Sequence, residues 1–130
     1  MNDKEVKSLR KKIEKISYKW YQLLGLKQWV VHYTYFRDTS EFLQAIGGGE
    51  VCTSGSCNAR WEYKEASISW NLPILSNMSP MELEITIIHE HVHCLTDPMA
   101  SKFSGKDRKL LEVVVTDITN ALYRAKYVKG

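Results

Sequence analysis

No stretch of this chain approaches the ~18 consecutive apolar residues that a membrane-spanning helix requires, so no membrane partner is expected. The first twelve residues, MNDKEVKSLRKK, lack the apolar run of a secretory signal. Cysteine is sparse: Cys52, Cys57 and Cys94 make an odd count of 3, which argues against a disulfide framework and for a reducing compartment. These absences point to the cytoplasm. A strong excess of one charge is missing too. The net charge of +3 is mild and sits largely in basic runs near the two ends, which read as solvated faces rather than a nucleic-acid surface. No repeat, low-complexity segment or linker divides the 130 residues, so one domain spanning 1–130 is expected. Histidine is nearly as scarce as cysteine, at 4, yet three of these fall within His89-Glu90-His91-Val92-His93.

Periodicity places this pentapeptide on a helix. Residues 4–24 carry apolar side chains at Val6, Leu9, Ile13, Ile16, Trp20 and Leu23, the spacing of one helical stripe, with Gly25 as its stop. Residues 28–36 are β-branched and aromatic and read as a strand, with Trp29, Val31, Tyr33 and Tyr35 on one face and His32 on the other. Residues 40–46 suit a short helix ended by Gly47-Gly48-Gly49. From Glu50 to Asn71 the chain reads as β again, and residues 58–63 and 66–70, flanking Lys64-Glu65, read as an antiparallel hairpin. Ser79 is then an N-cap, Pro80 takes the first helical position and Glu82 completes a capping box. Leu83, Ile87, Ile88, Val92 and Leu95 give this helix its apolar surface, and Asp97-Pro98 is expected to end it. A last helix runs from near Asp107 to about Tyr127.

Positions i and i+4 share a helix face, so His89 and His93 can grip one metal ion, while Glu90 projects about 100° around from His89. With four His and ten Glu in the chain, roughly 0.01 such patterns arise by chance. His91 points away from the pair and reads as a packing or surface residue. A catalytic zinc takes three protein ligands and leaves one position open. No His follows His93, so a third imidazole comes only from His32, and Met99 stands where a metzincin pattern needs a His. Glu112 is the leading third ligand, because a carboxylate within Leu110-Leu111-Glu112-Val113-Val114-Val115 is costly to bury unless paired or metal-bound. Glu112, Thr116, Thr119 and Tyr123 share one stripe that could face a metal site. The plainer alternative is a solvent face with Glu112 paired to Arg108 or Lys109. Asp97 and Asp117 are rival ligands. Cys52 and Cys57 have no further Cys or His nearby in sequence and read as free thiols rather than a second metal site.

His89-Glu90-x-x-His93 with Glu112 on a following helix resembles the gluzincin clan of zinc metallopeptidases, and the short chain is similar to its minimal, single-domain forms of phage and mobile-element type. The resemblance covers residues 66–123. It implies an α+β, zincin-like fold: an N-terminal helix, a small mixed sheet of three to four strands, the motif helix and a C-terminal glutamate helix. It implies Zn2+ held by His89, His93 and Glu112, and peptide hydrolysis with Glu90 as general base. Tyr123 or His32 would then stabilise the oxyanion. It also makes residues 66–71 the edge strand along which an extended peptide or protein substrate binds. Larger gluzincins carry an Asp four residues after the ligand Glu; here Thr116 holds that place. The other expectation is a catalytically silent zinc-binding module of the same fold that holds a protein partner.

Overall fold

A computed structural model describes residues 1–47, 54–100, 102 and 105–127. Its first helix, α1 (Asp3–Leu23), is started by a reciprocal cap: Asn2 accepts from the Glu5 amide at 2.8 Å and Glu5 accepts from the Asn2 amide at 3.3 Å. The expected stripe buries Ile13 and Trp20, whereas Leu23 is exposed because the chain turns away at Gly25 (φ +70°), a conformation that favours glycine. Strand β1 (Val30–Phe36) follows, with Val31, Tyr33 and Tyr35 turned inward and His32 outward as alternation requires. Helix α2 (Thr39–Ala45) is capped by Asp38, whose side chain accepts from the Ser40 amide at 2.8 Å. Gly48, Gly49 and the start of the expected β region, Glu50 to Thr53, lie outside the described residues.

Strand β2 (Gly55–Arg60) and strand β3 (Glu65–Asn71) form an antiparallel hairpin as expected, but residues 61–63, expected to extend its first strand, leave the sheet. Its connection is a short 3-10 helix (Trp61–Tyr63) closed by Lys64 at φ 53°. The sheet is mixed and three-stranded, in the order β1-β3-β2, with β1 parallel to β3. Residues 66–71 are therefore the central strand and not the edge strand. Parallel β1 and antiparallel β2 flank β3 on its two sides, and among the described residues β2 is the edge strand beside the motif helix.

One sheet face is built in rows: Tyr35–Trp70–Gly55, Tyr33–Ile68–Cys57 and Val31–Ala66–Ala59. Helices α1 and α4 cover this face, burying Ile13, Ile68, Trp70, Leu72, Leu75, Leu83 and Ile87 in the main cluster. After the single turn of α3 (Leu72–Leu75), α4 (Pro80–Ala100) opens with the predicted capping box. Glu82 N–H donates to Ser79 Oγ and Ser79 N–H to Glu82 Oε1, both at 3.1 Å. Asp97-Pro98 does not end α4, which runs on to Ala100. Proline lacks the N–H that would reach back one turn. Here Asp97 Oδ2 accepts from the Trp61 amide at 3.0 Å and Thr96 is buried, so contacts with the hairpin hold the last turn in place. The final helix, α5 (Lys106–Tyr127), packs on α4, and Val115 joins Trp20, Ile88 and Val92 in a second cluster. The architecture is α+β. No helix among the described residues is long and apolar enough to cross a membrane.

Candidate metal centre

The middle of α4 presents His89 and His93 on one face, with Nε2 atoms 3.3 Å apart and rings steeply inclined at 74°. Across from them α5 delivers Glu112: Oε1 lies 2.7 Å from His89 Nε2 and Oε2 3.6 Å from His93 Nε2. One donor atom from each of the three lies within 4.8 Å of the others, so this trio could hold a metal ion. Tetrahedral coordination with bonds of about 2.0–2.1 Å spaces donor atoms about 3.3 Å apart. The His–His and His93–Glu112 distances match that spacing, and the His89–Glu112 contact is a hydrogen bond. Two imidazoles and a carboxylate suit several divalent ions. Burial is the main influence on His93; with His89 beside it, it outweighs the pull of Glu112 and holds the imidazole below its ordinary value. That favours the neutral, metal-binding form.

Glu112 reaches this position for a reason other than the burial cost expected from its sequence. Its side chain is 47% exposed, and its neighbours Leu110, Val113 and Val114 are exposed as well. Leu111, Val115 and Thr119 are the described residues of α5 that are buried. The stripe Glu112, Thr116, Thr119, Tyr123 accordingly divides. Glu112 and Thr116 border a groove, whereas Thr119 is buried and Tyr123 packs against the Trp20 cluster and the Tyr127 ring at 4.7 Å. Tyr123 lies about 16 Å of helix rise beyond Glu112, so the structure does not bring it to the trio as an oxyanion donor. His32 is also elsewhere: it is exposed on the outer sheet face, 3.6 Å from Glu65. Asp97 and Asp117 line the groove but are outside the trio, and Asp97 is engaged by Trp61.

The groove has a volume of about 1010 Å³ and runs between the β2 hairpin and α5, with His93 and Glu112 in its wall. Arg60, Trp61, Glu62 and Lys109 give it a mixed polar lining that nothing in the local sequence pattern marked out. Glu90 is not among the described residues that line it. At 3% exposure it is buried beneath β2, where a Cβ on Gly55 would lie 3.3 Å from Glu90 Cγ and 2.9 Å from Trp70 Cε3. Strand and helix approach this closely because residue 55 has no side chain.

His91 is enclosed. A carbonyl only accepts, so Nδ1–H donates to Ile87 O at 2.8 Å, which leaves Nε2 to accept from Tyr33 O–H at 2.7 Å. Burial pushes this imidazole down to about 4. A second polar cluster, missed in sequence, centres on buried Glu84. It accepts from Trp20 Nε1 at 2.8 Å and from Tyr127 O–H at 2.5 Å, and pairs with Lys126. Burial pushes its carboxyl up, but Lys126, Tyr127 and Trp20 prevail and hold it below the usual carboxylate range. Cys57 and Cys94 are free thiols. Cys52 lies outside the described residues, and with it any pairing of Cys52 and Cys57. Comparison with family models, curated proteins and solved structures finds no match, so the chemistry of this site is argued from its own geometry.

Proposed function

We propose that this chain is a zinc-dependent metallopeptidase of gluzincin type. The carrying observation is the convergence of His89, His93 and Glu112 from two helices, with His93 and Glu112 in the wall of a groove bordered by the β2 hairpin. His89 and His93 would hold the ion from α4, and Glu112 would close the set from α5. When bound, zinc supplies Lewis-acid polarisation of a carbonyl and acidifies water. The chain supplies the rest. Glu90 follows His89 directly and serves as the base that takes a proton from the attacking water and returns it to the leaving amine. Strand β2, at the sheet edge among the described residues, would offer backbone donors and acceptors to an extended peptide lying in the groove. Metal analysis tests this reading: stoichiometric zinc in the purified chain, lost in His89→Ala, is expected. Glu90→Gln should keep the zinc and lose roughly a hundredfold or more of peptide hydrolysis. Absence of zinc, or hydrolysis unaffected by Glu90→Gln, would sink it.

A second reading is favoured by one observation, the burial of Glu90 at 3% exposure. A carboxylate so enclosed suits a zinc-binding module that holds a protein partner without turnover. A chelator separates the two: unfolding on metal removal marks a structural ion, and loss of hydrolysis from a folded chain marks a catalytic one.

A further inference from the structure

Two thiols far apart in sequence meet in the interior. Cys57 is on β2, on the face turned toward α4, and Cys94 is the α4 residue that follows His93. Their Sγ atoms are 4.0 Å apart, and neither is in a disulfide. Cys94 is buried, while Cys57 is partly open and lines the groove. A disulfide bond is about 2.05 Å long, so an approach of about 2 Å would join them, a displacement within reach of side-chain rotation.

We propose that Cys57 and Cys94 are a modification site, an oxidisable dithiol that closes into a disulfide tying β2 to α4. A peroxide is the oxidant class that fits the groove opening at Cys57. The Cys57 sulfur attacks one peroxide oxygen, the O–O bond breaks and one water leaves. The Cys94 sulfur then displaces the oxygen held on Cys57, forming the S–S bond and releasing the second water. Two thiol protons and two electrons pass to hydrogen peroxide, which ends as two waters. The Cys94 sulfur beside it and then burial push the Cys57 thiol up. Cys57 therefore stays protonated as the thiol, and the pair closes slowly compared with an exposed thiolate. The bond would fasten the groove wall to the helix carrying His89 and His93. This site goes beyond the metallopeptidase reading and does not depend on it.

The test uses the full chain carrying Cys52→Ser, treated with hydrogen peroxide, then denatured and alkylated with iodoacetamide, with and without added zinc. Intact mass should show the loss of two hydrogens and no alkyl adduct. Peptide mapping should show a Cys57–Cys94 cross-link, and the melting temperature should rise until dithiothreitol is added. The zinc arm should give the same result, because neither sulfur belongs to the His89–His93–Glu112 set. Two alkylated thiols, separately oxidised sulfurs, or disulfides between chains alone would overturn the proposal. If circular dichroism shows that Cys52→Ser has not folded, the same mapping on the unsubstituted chain decides. A Cys57–Cys94 cross-link supports the site, and cross-links made only through Cys52 overturn it.

Discussion

Three histidines within five residues of α4 occupy three environments. His89 faces a carboxylate, His93 sits in the groove wall, and His91 is sealed between β1 and its own helix. The sequence spacing separated His91 from the other two, because 100° per residue turns it off their face. It did not reveal that Tyr33 and the Ile87 carbonyl hold His91 neutral, since Tyr33 lies on a distant strand. Proton linkage follows from that neutrality. The imidazole's ordinary value of 6.5 drops to about 4 in the folded chain, so between these pH values the unfolded chain binds more protons. The contribution is complete above pH 6.5 and is lost as pH falls toward 4, on the order of 3 kcal/mol in all. Imidazole NMR on metal-free protein should find His91 untitrated until about pH 4; titration near 6.5 would contradict the enclosure. Glu112 was legible in sequence, but the argument for it was burial, and the side chain is half exposed. Its position comes from the packing of α5 on α4 through Leu111 and Val115. Glu84 gave no signal, because its partners Trp20, Lys126 and Tyr127 come from both ends of the chain. Replacing Glu84 with Ala takes the acceptor from buried Trp20 Nε1 and from Lys126 and Tyr127, and urea denaturation should register a loss of about 2 kcal/mol. A loss under a few tenths would show that water already satisfies Lys126.

Elements were read more securely than their neighbours in space. Capping residues and apolar stripes are local, and α1, α4 and α5 appear close to where those signals put them. The Ser79–Glu82 cap makes a direct prediction. Ser79→Ala should cost about 1 kcal/mol by denaturant unfolding and leave metal stoichiometry unchanged. Strand order is a different kind of information. Alternation assigns each strand residue to a face, and residues 66–71 alternate equally well at an edge or in the centre. What places β3 centrally is parallel pairing with β1, more than thirty residues earlier, and no local pattern encodes that contact. The end of α4 was misjudged for a related reason. Pro98 reads as a stop, but the Asp97–Trp61 hydrogen bond and buried Thr96 carry the helix to Ala100. Asp97→Ala should therefore loosen the 3-10 turn. Faster amide exchange at Trp61 is expected, and unchanged exchange would sink the idea.

At the scale of the whole molecule, the trio joins α4 and α5, which pack on each other. An ion bound to His89, His93 and Glu112 would bind only the folded arrangement, so removing it should lower the melting temperature by mass action alone. Among the described residues, polar contacts tie α5 to α4 at Glu112 and again near the end of the helix, with apolar packing between. Toward its start is Glu112, whose hold would be strengthened by an ion shared with His89 and His93. At its end is the Glu84–Lys126–Tyr127 cluster, whose partners include no metal donor. Along the helix Leu111, Val115 and Thr119 are buried, while Leu110, Val113, Val114 and Ile118 are exposed. Opening of this helix then has a direction. Chelation should release exchange protection from residue 106 toward the middle of α5 while residues near Tyr127 stay closed, and uniform release along the helix would contradict it. With an ion on the trio, α5 would act as a zipper with one lockable end, and the ion would set how far it stands undone.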